Sequence, residues 1–135
     1  MLTLSPALWT EMVAHALDGL PDEACGLLAG APGSDEAVVF YPCRNAAESS
    51  KVYTIDPRDH LRADRDAEGR GLEIMGVVHS HTHTEAYPSP TDVAQAPVPE
   101  WHYVIVSLRA ESPSVRSFRI VDGEITEEVI SLTRR

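Results

Sequence analysis

From Leu72 to Val78 the chain runs through a strongly apolar stretch that leads directly into His79-Ser80-His81. A polar, proline-containing loop follows, from His81 to Pro90. A short apolar run bounded by turn residues fits a buried strand. Residues two apart on a strand point to the same face, so His79 and His81 project together and Ser80 points the other way. Such a strand must be covered on its faces yet deliver two imidazoles to one place at its end. The loop after it carries the most weight, because functional residues tend to sit on loops held by a rigid strand.

The rest of the pattern sets the fold class. Ser5-Pro6 reads as a helix start, with Ser5 as cap and Pro6 in the first position. Leu8, Met12, Ala16 and Leu20 recur at a spacing of four and mark one apolar face. Gly19 and Pro21 close that helix. Ala24 to Gly30 fits a buried strand, Pro32 to Asp35 a turn, and Ala37 to Tyr41 a further strand. A polar loop spans Asn45 to Ser50, and Val52 to Ile55 is expected as another short strand. Pro57 opens a second helix, with Leu61 inward, that runs to about Glu68 and stops at Gly69. Thr91 to Ala96 reads as a short helix. Tyr103 to Leu108, Val115 to Val121 and Ile125 to Ile130 read as strands, with Asp122-Gly123 as a hairpin turn. Helices thus interrupt a sheet that ends in a hairpin. The expected class is α/β or α+β, a mixed sheet flanked by helices, and not a fully parallel sheet.

A chain of 135 residues suits one domain, residues 1–135, and is long enough to bury a core without disulfide or metal support. No apolar run reaches the ~20 residues of a membrane span. The N-terminal segment has no basic region or cleavage-like site, so the expected location is cytoplasmic. Cys25 and Cys43 are the only cysteines and are expected to be free thiols. A bound metal would therefore fall to histidines and carboxylates. The formal net charge of −10 argues against nucleic acid as a partner, since phosphate binding needs clustered Lys and Arg. The bases are nearly all arginine, and Lys51 is the only lysine.

Two imidazoles on one face can share one metal ion. The third ligand should come from another element, and Asp92, past the loop at the next helix start, is the nearest candidate. Three protein ligands leave a fourth position open, the arrangement of a catalytic zinc site. Other assignments fit the same residues. His81 and His83 form a second pair. Ser89-Pro90-Thr91-Asp92 also matches a capping box, in which Asp92 caps its helix and binds nothing. Spacing leaves capping and ligation both open.

The whole string, His79-x-His81, seven residues, Ser89, two residues and Asp92, resembles the signature of the JAMM (MPN+) metalloprotease family. The likeness covers nearly the whole chain. It is nearest to the small actinobacterial members that release cysteine from a sulfur-carrier protein. Pro21 to Gly26, His79 to Thr82, Thr84 to Ser89 and Arg119 to Gly123 carry it. Thr82 stands where many members have proline, which agrees with that group. The resemblance implies a JAMM/MPN-like (cytidine-deaminase-like) fold, one Zn2+ held by His79, His81 and Asp92, and an upstream glutamate, which falls on Glu23. The long insertions that eukaryotic deubiquitinating relatives use to grip ubiquitin chains are not evident.

By this resemblance Glu23 is the general base that takes a proton from water and passes it to the departing amine. Ser89 would help to stabilise the oxyanion, a contribution typically worth ~3–4 kcal/mol. The implied substrate is a ubiquitin-like sulfur carrier ending in Gly-Gly with cysteine on its terminal carboxyl group. The segment Tyr53-Thr54-Ile55 is the expected edge for that tail, and Thr82 and Tyr87 are further expected substrate contacts. His83 is expected to face solvent, and Cys25 to be buried. His15 and His60 need no special role, and Trp101 and His102 are expected to pack. The resemblance also admits processing of another ubiquitin-like carrier. A non-catalytic MPN scaffold is the alternative of another class, and such scaffolds usually lack the ligand set.

Overall fold

The computed structural model describes residues 1–134. Three strands are apolar on both faces and form the centre of the sheet: β2 (Cys25–Gly30), β4 (Glu73–His81) and β5 (His102–Ser107). Such strands read as continuous apolar runs because both sides are covered. With β3 (Val39–Cys43), β6 (Ser114–Val121) and β7 (Glu124–Glu128) they make one sheet in the order β3-β2-β4-β5-β6-β7. Only β4 and β5 run parallel; the other neighbours are antiparallel. A short pair, β1 (Leu2–Leu4) with β8 (Ile130–Leu132), lies outside that sheet.

Alternation along each central strand divides the core in two. Leu28, Val78 and Val104 join Leu8 and Met12 of α1 (Pro6–Asp18) on one face. Leu27, Val77 and Ile105 join Tyr53, Phe118 and Ala63 of α2 (Pro57–Gly69) on the other. The expected mixed sheet flanked by helices is what forms. Ser5 caps α1, its hydroxyl accepting from the Leu8 N–H at 3.1 Å. Asp122 and Gly123 both take positive φ, 51° and 80°, as the tight hairpin between β6 and β7 requires.

Several expectations fail in instructive ways. Leu61 is 50% exposed, and α2 instead faces the sheet with Ala63 and Ala67. Small side chains let the helix approach closely, which leaves the leucine on its flank. Leu20 lies past the end of α1 and is also exposed. Val52 to Ile55 is not a strand; a single bridge joins Ile55 to Asn45. The Asn45 side chain does the pairing there. Its Nδ2 donates to the Val52 carbonyl at 3.0 Å, and its Oδ1 accepts from the Thr54 N–H at 3.0 Å. The last predicted strand is broken at Val129 into β7 and β8. β1 is too short for periodicity to reveal, although Leu2 and Leu4 are fully buried. His102 does more than pack: its buried Nδ1 meets Glu128 at 2.6 Å.

The β4–β5 contact tolerates no side chain at Gly76. A Cβ there would stand 2.5 Å from the His102 carbonyl oxygen, which is backbone and cannot swing away. Gly76→Ala should therefore destabilise the protein by about 1–3 kcal/mol, the usual cost of overpacking. A lowered denaturant midpoint with an unchanged slope would show it.

Candidate metal centre

β4 carries His79 and His81 on the face shared with Tyr53 and α2, while Ser80 turns to the α1 side. Past the loop, Ser89 caps the short helix α3 (Pro90–Ala94), and Asp92 sits in its first turn. The three side chains meet in the interior, each less than a tenth exposed. His79 Nε2 lies 3.2 Å and His81 Nε2 2.9 Å from Asp92 Oδ2, and the two nitrogens are 3.1 Å apart. Donors about 2.05 Å from a tetrahedral zinc ion stand about 3.3 Å from one another. The triangle is close to that size and needs little adjustment to hold an ion.

The hydrogen bonding agrees. His81 Nδ1–H donates to the Glu85 carbonyl at 2.8 Å, which leaves the Nε2 lone pair facing Asp92. Fixing the tautomer through the far nitrogen is the usual support of a ligating histidine. Two imidazole nitrogens and a carboxylate oxygen converging in a buried place repel unless a proton or a cation stands among them. Burial pulls the His79 pKa down and so favours the neutral, ligating form. Burial also works against charge on His81, but hydrogen bonds to Asp92 and to the Glu85 carbonyl outweigh it and raise its pKa. Burial would raise Asp92 as well; the two imidazoles and the Ser89 N–H instead hold its carboxyl far below the usual carboxylate range.

Capping and ligation turn out to be compatible at Asp92. Oδ2 accepts from the Ser89 N–H at 2.9 Å and also faces both imidazoles. In return the Ser89 hydroxyl oxygen accepts from the Asp92 N–H at 3.0 Å, closing the capping box. That contact uses a lone pair, so the serine O–H remains able to donate.

Glu23 reaches this centre through strand pairing. In the antiparallel β2–β4 ladder Cys25 lies opposite His79, which brings the chain just before β2 alongside Ser80 and His81. Ser80 clamps the junction: its hydroxyl accepts from the Ala24 N–H at 2.8 Å, and its own N–H donates to the Ala24 carbonyl at 2.9 Å. Asn45 Nδ2 donates to the Glu23 carbonyl at 2.9 Å. Neither Asn45 nor Ser80 stands out in the sequence as a support, because each acts through backbone groups far away along the chain. The Glu23 side chain is 5% exposed, and its Oε1 has no hydrogen-bond partner among the described residues. Burial pushes its pKa up to about 7; charge on His81 pulls the other way and Asp92 adds to the rise. A carboxyl poised there can take and return a proton near neutral pH.

Glu23, His81 and Ser89 open onto a cleft of about 480 Å³ bordered by Lys51, Thr82 and His83. Thr82 is buried, and its hydroxyl donates to the Ser50 carbonyl at 3.0 Å. His83 is exposed. Tyr53 is buried, its ring stacked on His79 at 4.3 Å. Tyr53, Thr54 and Ile55 border a second pocket of about 300 Å³ with Trp101. Tyr87 lies outside the cleft lining and packs edge-on against Phe118, with centroids 5.5 Å apart. Cys25 is buried, and burial pushes its thiol up to about 12, unsuited to attack as a thiolate.

A mixed sheet between helices, with a buried His-His-Asp group and a glutamate at one end, defines a metal-binding hydrolase-type domain. The chain belongs to the Prok-JAB family, the prokaryotic homologs of the JAB domain, whose model matches residues 5–121. It is 43% identical to the CysO-cysteine peptidase of Mycobacterium tuberculosis over 136 residues, covering 100% of this chain and 93% of the relative. It is 32% identical to a desampylase of Haloferax volcanii over 78% of this chain and 80% of that one. A solution structure from Desulfitobacterium hafniense superposes with a TM-score of 0.91 at 38% identity, covering 100% of this chain and 94% of the other.

The raised Glu23 pKa has a stability consequence. The folded value near 7 exceeds the ordinary 4.5, so the folded state holds this proton more tightly than the unfolded one. Ionising Glu23 then costs stability above pH 7, and the cost fades as pH falls toward 4.5. In metal-free protein Glu23→Gln should raise stability at pH 8 by on the order of 3 kcal/mol, with a much smaller gain at pH 5. Denaturant titrations of chelator-treated protein at the two pH values would check it, and equal gains at both would contradict it.

Proposed function

We propose that this protein is a zinc-dependent amide hydrolase that releases cysteine from the C-terminal Gly-Gly of a ubiquitin-like sulfur-carrier protein, in cysteine biosynthesis. The observation that carries this reading is the buried convergence of His79, His81 and Asp92 beside Glu23. Identity of 43% along the whole chain to a CysO-cysteine peptidase supports the substrate.

His79 and His81 through Nε2 and Asp92 through Oδ2 would hold the ion. When bound there, such an ion would supply hydroxide near neutral pH by lowering the pKa of water from 15.7 to roughly 7. Glu23 receives the proton lost when water attacks the carbonyl carbon. It delivers that proton to the amide nitrogen as the C–N bond breaks, since an unprotonated amine leaves poorly. The balance is one water consumed, a carboxyl regenerated on the carrier and a free amine on the released residue. The Ser89 O–H, not used in the capping bond, donates to the oxygen on which negative charge builds.

The carrier tail has a candidate path beside Tyr53 and Ile55. The Thr54 carbonyl and the Asp56 N–H are taken up by Ala46 and Arg44, which ties this segment to the protein on one side. Its other side can pair with an extended glycine tail, main chain to main chain. The likeness to a desampylase supports a second carrier class for the same chemistry, a protein conjugate of another ubiquitin-like modifier.

Intact-mass analysis of a Gly-Gly-ended carrier extended by one cysteine is the direct test. Zinc-loaded protein should remove the cysteine, and zinc-loaded Glu23→Gln should not. An unchanged carrier mass with zinc bound would overturn cysteine release. Ser89→Ala should lower kcat by about 10²-fold through the lost oxyanion donor. It should also cost about 1 kcal/mol of stability through the lost cap. A kcat near the native value would remove Ser89 from the chemistry.

A further inference from the structure

We propose that Lys51 binds the free α-carboxylate of the residue being released. The cleft would then favour a carrier extended by a single C-terminal amino acid over a carrier joined to a lysine side chain. This deepens the function proposed above and rests on it.

One short segment borders the Glu23 cleft and a second pocket that reaches the metal centre through the Tyr53 ring. Ser50 and Lys51 line the cleft that contains Glu23 and Ser89. Tyr53, Thr54 and Ile55 line the other pocket, and the Tyr53 ring stacks on His79. Glu23 must reach the departing amine, so the leaving group occupies the Glu23 cleft. The carrier tail then lies on the Tyr53–Ile55 side. In a released amino acid the carboxylate sits on the carbon next to the scissile nitrogen, so it enters the Lys51 side with the amine. An isopeptide-linked lysine presents only methylenes at that place.

The charge distribution favours the same assignment. The chain has 21 acidic against 11 basic residues, so its surface repels a carboxylate in general. Lys51 is the sole lysine, and among the described residues no arginine lines the cleft. Lys51, like several of the arginines, enters none of the ion pairs among the described residues, but it alone of these bases borders the cleft. Its ammonium is thus available to a ligand. Its backbone is held as well: the Lys51 N–H donates to the Ser49 hydroxyl at 3.1 Å, and the neighbouring Ser50 carbonyl accepts from Thr82 just past β4. A lysine rooted in place beside a cleft is an economical reader of a compact anion.

The test uses a fluorescein-labelled synthetic peptide ending in Gly-Gly-Cys, as free acid and as carboxamide. Anisotropy measures binding to zinc-loaded Glu23→Gln, which should not turn the peptide over, with Lys51 native or changed to Met or Arg. The acid should bind at least about tenfold more tightly than the amide when Lys51 is present, the usual scale of a hydrogen bond to a charged group. Lys51→Met should abolish the difference and Lys51→Arg should restore most of it. Lys51 is exposed, so these changes leave the fold intact. Equal affinity for acid and amide, including no measurable binding of either, overturns the proposal, as does full discrimination in Lys51→Met. Cleavage of both peptides at equal rates by the native holoenzyme would sink carboxylate reading while cysteine release stands. Discrimination in binding without any cleavage would do the reverse.

Discussion

The pairing of β2 with β4 is the constraint on which the rest depends. Cys25 opposite His79 sets an antiparallel register that carries Glu23 to the position beside His81, although the two are 58 positions apart in the chain. A slip of one residue would turn the alternation over and send both imidazoles to the α1 face. The register is secured by what lies on either face. Leu27 and Val77 go to one core and Leu28 and Val78 to the other, so a shift would exchange them all at once. The Ser80 hydroxyl bond to Ala24 adds a polar lock at the end of the ladder where His79 and His81 lie.

Burial then gives the centre its electrostatic character. Low solvent access raises Glu23 toward neutrality and holds His79 neutral, while Asp92 stays ionised by collecting hydrogen bonds. Two imidazoles and a fixed anion in contact form a site ready for a cation. They are costly without one, because each would be better hydrated in water. A cation held among these groups would turn that cost into affinity, and the same desolvation lifts the Glu23 pKa toward neutrality.

The loop between β4 and α3 illustrates how a few bonds can order a flexible segment. His81 reaches back to the Glu85 carbonyl, the Ser107 hydroxyl donates to the Thr84 carbonyl at 2.6 Å, and the capping box closes the far end. Ala86 and Pro88 are buried beneath it. The loop thus delivers Asp92 and Ser89 to the imidazoles as fixed groups, which reduces the ordering that binding an ion or a substrate would otherwise require.

Much of this could be read from the amino-acid order alone. The helix starts at Ser5-Pro6 and at Pro57, the buried central strands and the Asp122-Gly123 hairpin follow from local rules, because caps, turns and periodicity act over a few residues. The joint projection of His79 and His81 is equally local, as is the candidacy of Asp92 past the loop, and the motif resemblance favoured ligation there and added Ser89 and Glu23. Folding decided what depends on distant partners. Asn45 replaces a strand at Val52–Ile55 with side-chain bonds, α2 buries alanines instead of Leu61, and His102 finds Glu128 across the sheet. The compatibility of capping with ligation at Asp92, and the opening of Lys51 onto the cleft, belong to the same group. These features arise from contacts between segments far apart in the chain, and local pattern carries no information about which distant groups will meet.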